Sequence, residues 1–326
     1  MDTATHIAMG VAIGGLATLD PVVAENTINT HSVFVAAIIG SQIPDIDTFL
    51  KLRNNAVYIR NHRGVTHSIP AVLLWPIIVT IIVGLFFPEA NFFHLWLWSF
   101  IAVFLHVFVD IFNAYGTQAL RPFSARWVAL GVINTFDPIL FGLHLLGIMI
   151  WLFGAQPGYT FLTMYIVAIF YYLLRFTMQR TVRFEVLKVI PDAKEIIISP
   201  TMHFNQWRLA IISDDYFYVG RANRRVITIF DQYKRIPVPE TPIIEAAKKD
   251  KNVSAFLSFS PVYRWEVKEL DDYHVVRFID LRYRSNGHYP FVAVVHIDHD
   301  LEIRSSYTGW IFSEDKLRKK LNVVID

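Results

Sequence analysis

One uncharged apolar run constrains the fold of this chain more than any other feature of its sequence. Residues 68–87, SIPAVLLWPIIVTIIVGLFF, contain no Asp, Glu, Lys or Arg over 20 positions. At about 1.5 Å per residue, a helix of this length crosses the roughly 30 Å hydrocarbon core of a membrane. The run therefore predicts a transmembrane helix and an integral membrane protein.

Further apolar runs surround this one. Three are long enough, or nearly so, to cross a membrane: 92–113, 138–154 and 159–178. Two earlier runs, 5–19 and 31–43, are too short for independent spans and suit short or tilted helices, or a hairpin packed within the bundle. We therefore expect an α-helical membrane bundle of about six membrane-embedded helices over residues 1–180.

The basic residues between these runs predict their orientation. Alternate loops hold all the Lys and Arg, at positions 51, 53, 60, 63, 121, 126, 180 and 183, whereas the loops at 20–30, 88–91 and 155–158 hold none. Because positive loops stay on the cytoplasmic side, both chain termini are expected in the cytoplasm. The protein should be integral to the inner, or plasma, membrane and contact its lipid bilayer.

The charge distribution marks a second domain. The first 176 residues hold only 7 of the 30 Lys and Arg and 8 of the 28 Asp and Glu. The later part contains short alternating or β-branched runs, which predict strands of an antiparallel sheet, at 182–190, 208–220, 225–233, 274–283 and 291–298. A short helix is expected over 242–251. We expect a mainly antiparallel β cytosolic domain over 181–326.

Overall charge and cysteine content exclude several classes. A net charge of +2 is too weak to indicate a polyanion partner, so no nucleic acid is expected. The absence of cysteine excludes disulfides, thiolate metal ligands and a cysteine nucleophile.

Ionisable side chains in the apolar half are concentrated at one end of the bundle. Each is unfavourable in a membrane by about 2.5–3.5 kcal/mol on insertion scales and therefore needs a partner or a purpose. In the expected topology one cytoplasmic site could hold His6, Asp45, Asp47, His62, His67, His106, Asp110 and Asp137. By contrast His31, His94 and His144 lie at the opposite membrane face or within a span without a nearby carboxylate, and we interpret them as interfacial or core residues.

Two carboxylate motifs in this set have the spacing of metal ligands. His106 and Asp110 are four residues apart and so share one helix face, which favours metal ligation over a structural hydrogen-bonded pair. Asp45 and Asp47 follow Pro44, which breaks helices, so both carboxylates could converge on one cation. A surface turn or a helix N-cap is the alternative for that pair.

The segment HRGVTHS, residues 62–68, combines two imidazoles with an arginine just before a helix. Ser68 is a suitable N-cap, and Arg63 beside a helix N-terminus could hold a phosphate against a metal. The alternative is a capped, positively charged cytoplasmic loop. His6 precedes Gly10 and Gly14, a small face that would let the first helix pack closely and bring His6 into the bundle.

Together these motifs, with Gly116-Thr117 and Pro122-Phe123-Ser124, resemble the YdjM-like family of predicted membrane-bound metal-dependent hydrolases. The resemblance covers about residues 1–180, and the added β domain makes the chain most similar to the YfhP-type branch. More distantly it is similar to the zinc-dependent phospholipase C and P1 nuclease superfamily. That resemblance implies metal ligation by His6, Asp45 or Asp47, His67, His106 and Asp110, although a later H-x3-E pair is missing.

The first hypothesis is a phosphoesterase-like, metal-dependent hydrolase acting on a lipid or other amphipathic phosphate ester at the cytoplasmic leaflet. One or two divalent ions, Zn²⁺ or Mn²⁺, would be held by His6, Asp45, Asp47, His62, His67, His106 and Asp110. Arg63 would stabilise developing negative charge, and Asp47 or Asp137 could accept a proton.

Two other classes of function stay open. An ion or metal transporter would also bury His and Asp, but the outer halves of the spans are almost wholly apolar. A non-catalytic membrane anchor would use its β domain to bind a regulatory protein, with a structural metal site. Residues around Trp207, Arg224 and Arg225 would then form the protein-binding surface.

Overall fold

Two compact units make up the chain in the computed structural model, which describes residues 1–322. The first unit comprises Met1–Asp47, Arg63–Arg180 and Pro200–Phe204. The second comprises Thr48–His62, Thr181–Ser199 and the described chain from Asn205 onward.

The helices of the described chain follow the apolar runs in the first part and flank the strands in the second. They are α1 (Thr3–Leu16), α2 (Pro21–Ala24), α3 (Thr27–Gly40), α4 (Asn55–Asn61), α5 (Ile69–Phe86), α6 (Phe92–Asp110), α7 (Pro138–Leu152), α8 (Pro157–Val189), α9 (Pro242–Lys249), α10 (Lys251–Phe259) and α11 (Glu314–Asn322). Short 3₁₀ segments cover Ala17–Leu19, Ile43–Leu52 and Val65–His67.

Three helices, α5, α6 and α8, are long and apolar enough to cross a membrane. A fourth span is formed if α3 and the segment Ile43–Leu52, which are bent by 43° at their junction, count as one broken span. The expected six membrane-embedded helices are not supported. Helices α1 and α7 have 14 and 15 residues, about 22 Å at 1.5 Å per residue, which is shorter than the roughly 30 Å core.

Polar caps fix where the helices of the first unit begin. The hydroxyl of Ser68 accepts from the backbone N–H of Ala71 at the start of α5, and Asn91 does the same for His94 at the start of α6. The carboxylate of Asp2 caps α1. These side chains satisfy N–H groups that have no partner inside the helix, as predicted for Ser68.

Small residues let α1 and α3 approach closely. A Cβ on Gly10 would lie 2.4 Å from Ser41 Oγ and 2.8 Å from the Cα of Ile38. A Cβ on Gly14 would lie 2.5 Å from the ring of Phe34. The small face of α1 thus packs on α3, which is the arrangement expected to turn His6 inward.

The second unit contains two four-stranded sheets with strand orders β1-β2-β3-β4 and β5-β6-β7-β8. The strands are β1 (Glu195–Pro200), β2 (Gln206–Ile212), β3 (Tyr216–Asn223), β4 (Val226–Lys234), β5 (Tyr263–Glu269), β6 (His274–Asp280), β7 (Phe291–Ile297) and β8 (Ile303–Trp310). Neighbouring strands from β2 to β4 and from β5 to β8 pair antiparallel. The prediction of antiparallel β structure is confirmed.

Local predictions in this unit fail at two places. Residues 182–190, predicted as a strand, continue helix α8 to Val189. Val182 and Val186 are buried four residues apart, so the run satisfies helical spacing as well as alternation. Trp207, expected on an exposed binding surface, is fully buried.

Helix α4 belongs to this unit although it precedes the long spans in the chain. Asn55 Nδ2 donates to the hydroxyl of Tyr307, 3.2 Å away, and Arg60 Nη2 donates to Ser254 Oγ, 2.6 Å away. Helix α4 thus contacts both helix α10 and strand β8.

Candidate metal centre

Four side chains from three segments of the first unit converge on one buried point. One ligand atom from each of Asp45, His67, His106 and Asp110 lies within 4.8 Å of the others. The two histidines and Asp110 are fully buried, and the Asp45 side chain is 16% exposed. Four of the residues predicted to bind metal are therefore brought together.

Three local structures position the four ligands. His106 and Asp110 project from one face at the end of α6, as their spacing predicts. Asp45 lies on the 3₁₀ segment that follows α3, where Pro44 interrupts regular helix. His67 ends the short turn just before α5.

The separations between ligand atoms fit an enclosed ion better than direct hydrogen bonds. His67 Nε2 lies 3.5 Å from Asp45 Oδ1 and from Asp110 Oδ2. His106 Nε2 lies 3.7 Å from the same two oxygens. These distances are longer than normal hydrogen bonds. They are close to the separation of about 3.4 Å between neighbouring ligand atoms around a tetrahedral zinc ion.

The proton of His106 can be assigned from its partner on the other ring nitrogen. Nδ1 lies 2.6 Å from the carbonyl oxygen of Ser41. A carbonyl can only accept, so Nδ1 carries the proton and in the neutral ring Nε2 presents a lone pair. Nε2 has no hydrogen-bond partner among the described residues, and neither do Asp45 Oδ1 and Asp110 Oδ2. Buried lone pairs facing one another are unfavourable unless a cation lies between them.

A hydroxyl relay orients His67 in the same way. Thr66 Oγ1 lies 2.6 Å from Asp47 Oδ2 and 3.0 Å from His67 Nδ1. An ionised Asp47 can only accept, so the single hydroxyl proton of Thr66 goes to Asp47 and the hydroxyl oxygen accepts from His67 Nδ1. The Nε2 lone pair of His67 therefore points at the carboxylates, as in many zinc sites.

Replacing Thr66 by valine should lower metal affinity by roughly 10–100-fold, the usual effect of losing a partner behind a ligating histidine. Valine keeps the shape but removes the hydroxyl that holds the His67 tautomer. Competition of metal-free protein with a zinc-binding dye in detergent measures the change. Thr80→Val is the matched control, because Thr80 Oγ1 bonds only within α5, to the Pro76 carbonyl. Equal affinity of the two variants would show that the relay does not orient a ligand.

His6 lies beside the four ligands. Its ring stacks on His106 at 3.7 Å between centroids, and its Nε2 is 3.5 Å from Asp110 Oδ1. Neither ring nitrogen has a hydrogen-bond partner among the described residues, although the side chain is fully buried. His6 is thus available as a further ligand.

Arg63 is a buried cation against the same carboxylate. Its Nε is 3.2 Å from Asp110 Oδ2, and its Nη2 donates to the carbonyl of Met1 at 3.0 Å. The amino group of Met1 also contacts Asp110 Oδ1. Arg63 has a positive φ of 58°, an unfavourable conformation that persists where surroundings impose it and that is common at functional sites.

A loop after α6 helps to hold Arg63. The backbone N–H of Gln118 donates to the Arg63 carbonyl at 2.9 Å. The neighbouring Gly116 has φ +68°, and a Cβ there would lie 2.1 Å from the Val128 carbonyl oxygen. Only glycine fits this position, which explains the Gly116-Thr117 motif.

The remaining predicted site residues have other partners. Asp47 Oδ2 accepts from the Arg63 N–H at 2.9 Å and from Thr66. His62 ends the segment assigned to the second unit and stacks on Tyr58 at 4.6 Å. Asp137 caps α7 and accepts from the Tyr171 hydroxyl at 2.9 Å.

The reading of His94 as a histidine without a carboxylate is wrong. Its Nδ1 lies 2.6 Å from Asp20 Oδ2, and Trp98 Nε1 donates to the same oxygen at 3.1 Å. The partner is 74 residues away in sequence, so spacing could not reveal it. His144 is buried, with Nδ1 2.7 Å from the Leu140 carbonyl, as expected of a core residue.

The groups that set the ligand protons could not all be found from the sequence. The Ser41 carbonyl, which fixes the His106 proton, is a backbone atom, and residue type does not indicate its position. Thr66, by contrast, stands beside a candidate ligand and two positions after a glycine. Its hydroxyl could have been considered as a partner for His67.

Fold and site together define a membrane protein with a buried His/Asp centre in its helical unit. The sequence profile of the YdjM inner membrane protein family matches residues 1–182, more than half of the chain. The chain belongs to this family. Two other profiles match the second part: the YfhP middle domain over residues 191–233 and the YfhP C-terminal alpha/beta plait domain over residues 242–321.

A close relative has the same extent. YfhP of Bacillus subtilis (strain 168) is 62% identical over 324 residues, with 99% of each chain covered. No solved structure matches the chain.

Proposed function

We propose that this chain is a membrane-embedded, metal-dependent hydrolase that cleaves phosphate esters of lipids or other amphipathic molecules. Asp45, His67, His106 and Asp110 would hold a divalent ion, with His6 as a further ligand. Imidazole and carboxylate donors suit Zn²⁺, and Mn²⁺ is the alternative. Such an ion supplies Lewis acidity and activates water near neutral pH.

The observation that carries the proposal is the proton assignment at His106. Its bare Nε2 faces two carboxylate oxygens in a fully buried position, and none of these three atoms has a hydrogen-bond partner among the described residues. A protonated imidazolium is the competing explanation. It would need shorter contacts than 3.7 Å to satisfy its second N–H.

The surrounding residues support hydrolysis rather than a purely structural metal. A structural zinc site is closed, whereas a catalytic site keeps a position open for water or substrate. Asp45 is the partly exposed member of the cluster and marks its accessible side. Arg63 would stabilise negative charge on a phosphate held there. Asp47 Oδ2 already accepts from Thr66 and from the Arg63 N–H, so we assign Asp47 a positioning role.

The membrane setting supports an amphipathic substrate. The ligands lie at the ends of apolar helices in a chain with three to four candidate spans. By the distribution of Lys and Arg, we place this end at the cytoplasmic leaflet. A lipid phosphate ester would bring its headgroup to the same depth.

The direct test is hydrolysis by detergent-purified protein whose metal content has been measured. We expect p-nitrophenol release from the diester bis(p-nitrophenyl) phosphate or the monoester p-nitrophenyl phosphate, or release of the headgroup from mixed phospholipid micelles. Release should stop after chelation and return with Zn²⁺ or Mn²⁺. Protein that carries metal but cleaves neither monoesters nor diesters would refute the hydrolase and favour a structural centre. Protein that binds no metal under any loading condition would refute the metal centre itself.

A further inference from the structure

The second unit carries exposed arginines at one end of its first sheet. Arg208 on β2 and Arg221 on β3 are directly opposite each other across the strand pair. Arg224 and Arg225 form the turn between β3 and β4. All four side chains are exposed. We call this set the arginine end.

The arginine end has no internal countercharge. Among the described residues, no carboxylate forms an ion pair with any of the four arginines. Like charges directly opposite on neighbouring strands are destabilising, so the Arg208–Arg221 pair is unfavourable without an outside anion. Asp214 and Asp215 lie in the β2–β3 turn, at the other end of these strands.

The acidic residue on β4 is already engaged. Asp231 accepts from Arg284 and from the Tyr289 hydroxyl. Burial alone would raise the pKa of Asp231, but these hydrogen bonds outweigh it and hold the pKa below its usual value. Asp231 is therefore already paired with Arg284 and forms no ion pair with the arginine end.

Along the chain, a residue of the first unit comes directly before the residue that bonds to this end. Phe204 belongs to the first unit, where its carbonyl accepts from Arg175 of helix α8. The next residue, Asn205, accepts through its carbonyl from the Arg224 N–H at 2.9 Å. Val226, beside Arg225, is 67% exposed, and an apolar side chain next to cations is typical of a membrane interface.

We propose that the arginine end binds the headgroups of anionic phospholipids at the membrane surface. The net charge of +2 does not reveal this local positive charge, because it is summed over the whole chain. Lipid headgroups respond to charges within about 10 Å. The proposal is independent of metal binding and of hydrolysis.

The test uses full-length protein in nanodiscs. The chain has no cysteine, so Asn223→Cys gives a single attachment point for a fluorophore at the end of β3, next to the β3–β4 turn. The discs contain phosphatidylcholine alone or mixed with phosphatidylglycerol, and a headgroup-labelled quencher lipid reports contact. We expect quenching only with phosphatidylglycerol, and we expect salt to weaken it.

Charge variants identify the residues responsible. Replacing Arg224 and Arg225 by glutamine should lower the ratio of membrane-bound to unbound β3–β4 turn. We expect a decrease of about fivefold for each arginine replaced. The double variant Lys248→Gln, Lys249→Gln removes equal charge from α9 of the same unit and should leave quenching unchanged. A second label, on Asp215→Cys at the acidic end, should show no dependence on lipid charge.

Three results would overturn the proposal. The first is equal quenching in the neutral and anionic discs. The second is equal loss of quenching in the α9 double variant. The third is a response to soluble polyglutamate or DNA with none to phosphatidylglycerol, which would identify a soluble polyanion as the partner.

Discussion

Asp110→Asn should abolish metal binding while leaving the protein folded in the membrane. Asp110 lies against all three histidines of the centre: Oδ2 is 3.5 Å from His67 Nε2 and 3.7 Å from His106 Nε2, and Oδ1 is 3.5 Å from His6 Nε2. An amide has the same shape but no charge, and its NH₂ group would face donors. We expect a loss larger than the roughly 10–100-fold caused by removing a partner behind a ligand.

The matched control is Asp137→Asn. Asp137 is also a buried carboxylate of the helical unit, but its contacts are the N-cap of α7 and Tyr171, and asparagine is an equally good N-cap. Elemental analysis of both purified variants and of the unchanged chain compares their metal content. Normal metal in Asp110→Asn would rule out the proposed centre. If Asp137→Asn keeps its metal but no longer hydrolyses the substrate, the result would support the prediction that Asp137 accepts a proton.

The candidate site was largely predictable because burial of charge in a membrane has few explanations. His106 and Asp110 needed only helical spacing, and Asp45 needed only a helix-breaking proline beside it. Their convergence with His67 followed from placing all ionisable groups at one end of the bundle. The proton assignments were not predictable, since they depend on the carbonyl of Ser41 and on which neighbour takes the Thr66 proton.

The fold was predicted less evenly. Long uncharged runs identified α5 and α6, because only length and apolarity matter for a span. Two shorter runs were misread: 138–154, predicted as a span, forms only the 15-residue helix α7, and 182–190 fits both strand and helix periods. The run 5–19, predicted to be too short for an independent span, forms the short helix α1. Strands β1, β5 and β8 were not predicted. The burial of β5, for example, follows no clean alternation, because neighbours distant in sequence decide which side chains are covered.

Asp280→Ala should give the largest loss of stability in the second unit. The carboxylate is fully buried and accepts from Arg282 Nη2 at 2.7 Å, from Ser260 Oγ at 2.6 Å and from the Arg282 N–H at 2.8 Å. Arg282 is itself buried, with its guanidinium 4.9 Å from the ring centres of Phe259 and Tyr283. Removing the acid leaves a buried cation without its counterion, which is unfavourable by about 3–5 kcal/mol.

Thermal unfolding of the full-length protein in detergent, followed by the β-sheet circular dichroism signal, should show a midpoint lower by roughly 6–20 °C. Asp231→Ala is the matched control, because it breaks the more exposed pair with Arg284, and such pairs contribute only about 0–1 kcal/mol. Adding Arg282→Met to Asp280→Ala should restore much of the loss, since a buried pair replaced by apolar groups is often tolerated. If the single variant and the control unfold at the same temperature, the buried pair does not hold this unit together. If the double variant is no more stable than Asp280→Ala, the loss comes from packing around Asp280 and not from an uncompensated charge.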